Sequence, residues 1–157
     1  MIQLEALTLG YGQQILLDHV SANLDGGGLI ALLGRNGSGK STLLRATAGL
    51  GTIKSGRILL AGKDLAELRP EELARTVSFV TTEKVRIPNL KCRDVVALGR
   101  APYTNWVGRL QPQDREIVAK SLALLDMSAY AERTMDQMSD GECQRIMIAR
   151  ALTQDTP

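Results

Sequence analysis

Aromatic side chains are scarce in this chain. Phe, Trp and Tyr make up 3% of its 157 residues, and the Lys and Arg side chains behind a formal net charge of +2 are spread out rather than gathered in blocks. A nucleic-acid binder carries dense basic stretches interleaved with stacking aromatics, so no nucleic-acid partner is expected and any phosphate binding should be local. Cysteine is equally sparse: Cys92 and Cys143 stand apart, without a CxxC spacing. That is too few for a disulfide-stapled secreted scaffold, so a reduced, cytosolic setting is expected. The opening MIQLEALTLG lacks the regions of a signal peptide, and no apolar run reaches the length that crosses a bilayer. The expectation is a chain neither exported nor membrane-spanning on its own.

What is present is an ordinary globular balance, 44% hydrophobic and 23% charged, with enough length for one core. IQLEALTLGYG places Ile2, Leu4, Leu7 and Leu9 close to period two, and QQILLDHVSANL is also strand-like. Together they read as paired edge strands. The run Asp25 to Gly34 is a glycine turn followed by continuous apolar residues, the pattern of a central strand buried on both faces. KSTLLRATAGL then offers Leu43, Leu44, Ala46 and Leu50 at helical spacing, a helix of about three turns stopped by Gly49 and Gly51. KSGRILLAGKDL reads as a hairpin around Gly56 and Gly62-Lys63, RPEELARTV as a short helix with Pro70 near its start, and VSFV as another strand.

From Pro88 onward strand signals fade. CRDVVALGR and PQDREIVAKSLALLDM give helical segments, the second with Val118, Leu122 and Leu125 on one face. The single histidine, His19, lies in the early hairpin and is expected at the surface.

The strongest chemistry sits in Gly34-Arg35-Asn36-Gly37-Ser38-Gly39-Lys40-Ser41, which matches G-x-x-x-x-G-K-[ST] at every fixed position. Glycines let the backbone fold into a nest of N–H groups that close on phosphate oxygens, where a side chain would block the approach. Lys40 brings a point charge to the β- and γ-phosphates, and the Ser41 hydroxyl can ligate Mg²⁺ between them. The helix that follows aims its positive end at the same anion.

A phosphate loop alone leaves many families open. The runs LTLGYGQQILLDHVSANL, IALLGRNGSGKSTLLRATAGL and SGRILLAGKDL, however, resemble the start of an ATP-binding-cassette (ABC) ATPase almost continuously. The resemblance implies an α/β P-loop NTPase of ABC type, with an N-terminal antiparallel β subdomain, a partial RecA-like α/β core and a helical subdomain. It divides the chain into a β subdomain with the Walker A core over about 1–87, a helical subdomain over about 88–138 and a signature helix over 139–157. It also implies ATP and Mg²⁺ as cofactors, with adenine on Tyr11, which offers a flat apolar face to a purine. The phosphates fall to Gly34, Asn36, Gly37, Ser38, Gly39, Lys40, Ser41 and Thr42, with Ser41 at the metal and Lys40 catalytic as well as binding.

After its next strand the family carries a glutamine that touches Mg²⁺ or the attacking water. Here the residues are Val80-Thr81-Thr82-Glu83-Lys84. Thr82 fills the position by ungapped alignment and Glu83 by chemistry. Glu83 is preferred, as a catalytic and metal-binding residue, because a carboxylate ligates Mg²⁺ or a water.

The family signature L-S-G-G-Q reads Met138-Ser139-Asp140-Gly141-Glu142. Ser139 and Gly141 keep the positions that face the γ-phosphate held by a second subunit, whereas Asp140 replaces a glycine and Glu142 a glutamine. Two carboxylates oppose phosphate unless they point away or pair with cations. Arg145, three residues beyond Glu142, is placed to offset it. Ser139-x-x-Glu142 is also a capping box in its own right, so the segment starts a helix whichever role it has. Ile146, Ile148 and Ala149 are expected in the core behind it.

VALGRAPY…W.GRL…D resembles the helical subdomain of importer ATPases that serve ferric siderophore, haem or cobalamin uptake. That implies three partners: a second ATPase subunit, an integral membrane permease and, indirectly, a substrate-binding protein. The place implied is the cytoplasmic face of the membrane. Tyr103 and Trp106 either pack internally or meet the permease. A permease-free ABC ATPase and a non-hydrolysing nucleotide-binding module stand as rivals.

Beyond the signature helix the family continues into an apolar strand closing in Asp-Glu and a later switch histidine, neither of which occurs within these 157 residues. The expectation is a chain truncated before the Walker B strand. Alone, it should bind nucleotide weakly at best and hydrolyse it poorly.

Overall fold

The alternation of Ile2, Leu4, Leu7 and Leu9 builds the middle of a sheet. In the computed structural model, which describes residues 1–81, 83, 88–104 and 108–157, the chain divides into two units, Met1–Leu73 and Ala74–Pro157. In the first unit β1 (Ile2–Tyr11) pairs antiparallel with β2 (Gln14–Leu24) through a tight turn that sets Tyr11 opposite Gln14. β1 is flanked on its other side by a third strand, so it is not an edge strand as the sequence suggests. Leu4, Leu7 and Leu9 are buried with Ile58 and Leu60 of that third strand.

After the phosphate loop, α1 (Lys40–Thr47) runs for eight residues, about two turns rather than the three expected. It stops where the amide of Gly49 bonds Ala46 O at 3.0 Å and that of Leu50 bonds Arg45 O at 2.8 Å, with Gly49 left-handed at φ 71°. β3 (Ile53–Leu60) and β4 (Lys63–Asp64) follow, and the sheet order is β2-β1-β3-β4. The β3–β4 hairpin turns at Ala61-Gly62. Gly56 instead lies inside β3, at φ 79°, where the register against β1 shifts. A Cβ there would collide with the carbonyl oxygens of Glu5 and Ala6, so the glycine serves a bulge and not a turn.

The two strands expected at 25–34 and 77–80 do not form. Leu29 is fully exposed and Leu33 nearly so. A strand of a parallel sheet exists through hydrogen bonds to neighbours on both edges, and among the described residues nothing pairs with either segment. Within this chain the RecA-like part is therefore represented by the phosphate loop and α1, without its sheet.

α2 (Pro70–Thr76) starts on Pro70, as its sequence predicts, and carries the division between the units. The second unit packs α3 (Cys92–Ala97), α4 (Pro112–Leu124) and α5 (Asp140–Thr153) around Cys92, Val96, Leu122, Met135 and Ile146. Val118 and Leu122 are buried as expected, and Leu125 packs against the same cluster. On α5, Ile146 and Ala149 are buried while Ile148 is only half-buried, Met147 taking the deeper position. Neither cysteine is in a disulfide and both are buried, and burial pushes the Cys92 thiol above its ordinary range. Among the described residues no helix is long and apolar enough to cross a membrane.

Candidate functional site

In the first unit the loop from Gly34 to Ser41 closes on itself before α1 begins. The amide of Ser38 bonds Arg35 O at 3.2 Å, and Gly37 and Gly39 adopt φ 80° and 88°, which L side chains avoid. A Cβ on Gly39 would stand 3.3 Å from Leu17 Cγ, so the loop is pressed against β2 where it turns into the helix. Gly39 forms the cap of α1 without a side-chain hydrogen bond, and no acidic residue sits in the first turn. The helix thus opens with backbone N–H groups that no side chain caps, at the positive end of its dipole.

Lys40 reaches back over this loop. Its Nζ donates to Gly34 O at 2.8 Å and to Arg35 O at 2.7 Å. Among the described residues the ammonium is held by carbonyls alone, which leave its charge available to an anion. Ser41, Asn36 and Ser38 are exposed, while Thr42 is half-buried. Tyr11 is 64% exposed at the end of β1, with its hydroxyl 3.5 Å from Thr42 Oγ1. The fold therefore brings Tyr11 and the whole loop onto one edge of the first unit. His19 lies apart from them, exposed, with Nδ1 2.7 Å from Asp18 Oδ1.

The remaining candidates lie in the second unit. Ser139 caps α5: its Oγ accepts from the Glu142 amide at 3.4 Å, and Glu142 Oε2 accepts from the Ser139 amide at 2.8 Å and from its hydroxyl at 2.6 Å. The Ser139 hydroxyl, then its amide, hold the Glu142 carboxyl below the usual carboxylate range, with Tyr130 and Arg145 as minor causes. The capping role expected of Glu142 is met, and Arg145 matters less than its spacing suggests. Gly141 is exposed, and a Cβ there would meet nothing within 4 Å. Internal packing therefore does not demand a glycine at this position.

Glu83 is exposed, and its amide donates to Thr81 Oγ1 at 3.1 Å. Thr82 and Trp106 lie outside the described residues. Tyr103 packs internally: its ring lies under the guanidinium of Arg100 at 4.0 Å and near that of Arg75 at 5.2 Å, and its hydroxyl donates to Asp155 O at 3.3 Å. These arginine contacts escaped the sequence reading, which saw the tyrosine as aromatic but had no means of pairing it with residues 28 and three positions upstream.

The donors around the loop fit a polyphosphate: backbone N–H groups, one ammonium and the Ser41 hydroxyl. Among the described residues no cluster of three or more His, Cys, Asp or Glu could hold a metal ion. A hard cation at Ser41 would therefore take further oxygens from phosphate and water, with room for at most a carboxylate or two from the protein.

Comparison with known proteins agrees with this geometry. The chain is 39% identical over 155 residues to an uncharacterized ABC transporter ATP-binding protein of Methanocaldococcus jannaschii, covering 99% of this chain and 53% of that one. It is 34% identical over 155 residues to the petrobactin import ATP-binding protein FpuD of Bacillus anthracis, covering 99% and 57%. The chain thus spans about half the length of these curated relatives. A dimeric ATP-binding cassette in a post-hydrolysis state with ADP and Pi superposes with a TM-score of 0.83 at 26% identity, over 99% of this chain and 71% of that one. Residues 17–157, which include the phosphate loop, α1 and the capped α5, match the family described as ABC transporter, and the chain belongs to that family.

Proposed function

We propose that this chain is the nucleotide-binding portion of an ATPase subunit that powers uptake of an iron chelate, haem or cobalamin through a membrane permease. The observation that carries the reading is Lys40 folded over its own loop, beside a helix end that no side chain caps. The iron-chelate class is supported by the name of another relative, the iron(3+)-hydroxamate import ATP-binding protein FhuC of Bacillus subtilis. The wider choice, which includes haem and cobalamin, rests on the VALGRAPY…W.GRL…D resemblance.

In this reading Tyr11 stacks on adenine and the 34–42 backbone cradles the phosphates. Lys40 leaves the carbonyls of Gly34 and Arg35 for the β- and γ-phosphates, and its charge stabilises the negative charge that builds there during in-line attack by water. Mg²⁺, when bound, would offset the negative charge of the phosphates. Ser41 would hold it through its hydroxyl, and Glu83 would hold it through a carboxylate oxygen or orient the attacking water. Ser139 and Gly141 serve a second copy of the chain, offering their hydroxyl and amide to the phosphate on that copy's loop.

Closure of the two copies over ATP then drives a permease at the cytoplasmic face of the membrane, with a substrate-binding protein acting indirectly from the other side. Residues 1–157 by themselves supply no Asp-Glu pair after an apolar strand, and as an isolated polypeptide they should bind ATP weakly and turn it over poorly.

Titrating the chain with ATP and Mg²⁺ beside Lys40→Met tests the reading. The Lys40→Met variant should lose most binding while its melting temperature stays close to the parent's, since Lys40 anchors only to exposed loop carbonyls. Equal ATP affinity in the two would overturn the assignment.

A further inference from the structure

The pattern Gly99-Arg100…Asp114 has no part in the nucleotide site, yet it contains the most buried charges among the described residues. Arg100 is 4% exposed and Asp114 1%. Arg100 Nε donates to Asp114 Oδ1 at 2.8 Å, and a second guanidinium nitrogen donates to Thr153 O, the last residue of α5, at 3.1 Å. The other carboxylate oxygen, Asp114 Oδ2, accepts from the Gln111 amide at 2.8 Å and caps α4. The Tyr103 ring covers the guanidinium, and its hydroxyl bonds Asp155 O just beyond α5. One cation thus ties the start of α4, the 98–103 segment and the carboxyl end of α5 together.

Gly99 brings the 98–103 backbone hard against α5. A Cβ there would collide with Arg150 O, so the segment and the helix approach as closely as backbones allow. Gln154 adds a tether on the other side of the helix end, its Nε2 donating to Val77 O at 2.8 Å. A buried ion pair is weak evidence for stability, because apolar residues of similar volume often do as well, and in some proteins such a pair instead fixes one arrangement among several.

We propose that Arg100, through Asp114 and Thr153, is a positioning residue that sets the direction of α5 and so the placement of Ser139 and Gly141 at its other end. α5 has 14 residues and is about 21 Å long, so a tilt of about 5° at Thr153 moves the Ser139 end by about 1.8 Å. A misplacement of about 1 Å is enough to cost about a hundredfold where groups must meet a reacting phosphate. The guanidinium is planar and reaches two acceptors at fixed angles, which an ammonium cannot reproduce. The consequence for nucleotide rests on the reading of Ser139 and Gly141 given above, whereas the positioning itself does not.

Two variants of the chain separate the cases, Arg100→Lys and the paired Arg100→Met/Asp114→Asn, whose amide oxygen keeps an acceptor for the Gln111 amide. The paired variant removes both charges together and should melt close to the parent. In amide ¹H–¹⁵N spectra without nucleotide, both variants should shift the resonances of Gly141 and Glu142, at the far end of α5. With ATP and Mg²⁺ as the probe, self-association should fall at least about tenfold while ATP affinity of the 34–42 loop is unchanged. A paired variant that melts like the parent and leaves the Gly141 and Glu142 resonances unmoved overturns the inference and makes the pair a packing feature only. If the parent itself shows no ATP-driven self-association, the nucleotide reading fails, and the amide shifts still decide whether Arg100 positions α5.

Discussion

Glu142 Oε2 sits 2.6 Å from the Ser139 hydroxyl and 2.8 Å from the Ser139 amide, so the side chain to which the resemblance assigns a signature glutamine's place caps its own helix. These bonds favour the charged form and hold the carboxyl below its ordinary value of 4.5. A folded-state value that lies below the unfolded one means that the unfolded chain takes up the proton first as pH falls. The contribution to stability is complete above the ordinary carboxylate range and is lost as pH drops through the lowered folded value. Melting curves from neutral to acid pH should therefore fall more steeply for the parent than for Glu142→Gln, and a variant as acid-sensitive as the parent would contradict the cap. Ser139→Ala should cost about 1 kcal/mol at neutral pH, the usual loss of an N-cap side chain.

Asp140 presents a second exposed carboxylate in the first turn of α5. There it favours the helix through the dipole, but it should repel a phosphate carried by another copy. Asp140→Gly is expected to move two measurements in opposite directions. The melting temperature should drop slightly, because glycine costs about 1 kcal/mol in a helix and the dipole partner is gone. ATP-dependent self-association should tighten several-fold, by sedimentation or light scattering. Weaker association of the variant would count against the phosphate role of this helix end.

Local patterns carried much of this structure. The Ser139 capping box, the proline start of α2, the buried face of α4 and the β1–β2 hairpin all follow from residues within a few positions of one another. What escaped depends on distant partners. The 25–34 run has strand composition, but a strand is made by its neighbours, and the described chain provides none. Gly56 reads as a turn residue until β1 is laid beside it, when the close approach of Ala6 explains it. At the site, the phosphate loop was legible because its chemistry lies in eight consecutive residues. The link from Arg100 to Asp114 and Thr153 was not, since nothing in composition or period says that an arginine will be buried.

Gly39 joins loop and helix at φ 88° and is packed against Leu16 and Leu17 of β2. Gly39→Ala has to hold a left-handed conformation that costs about 1–2 kcal/mol for a residue with a Cβ. The leucines must also give way, because the added carbon would stand 3.3 Å from Leu17 Cγ. The variant should therefore lose both melting temperature and ATP affinity, unlike Lys40→Met, which should lose only the second. A Gly39→Ala protein with unchanged stability would mean that the loop can relax away from β2.

Tyr11 separates the ring from the hydroxyl. Its phenol lies 3.5 Å from Thr42 Oγ1, a long contact between exposed groups, so the hydroxyl adds little, whereas the exposed ring face is free to take a purine. An aromatic stack is worth about 0.5–1.5 kcal/mol beyond the area it covers. Tyr11→Phe should bind ATP as the parent does, and Tyr11→Ala should bind about threefold to tenfold more weakly, with inorganic triphosphate affinity the same in all three. That last comparison is decisive, because only a base-stacking role makes the alanine penalty vanish when the ligand has no base. A penalty that persists with triphosphate would place the Tyr11 effect in the shape of the loop, through Thr42, and remove it from adenine recognition.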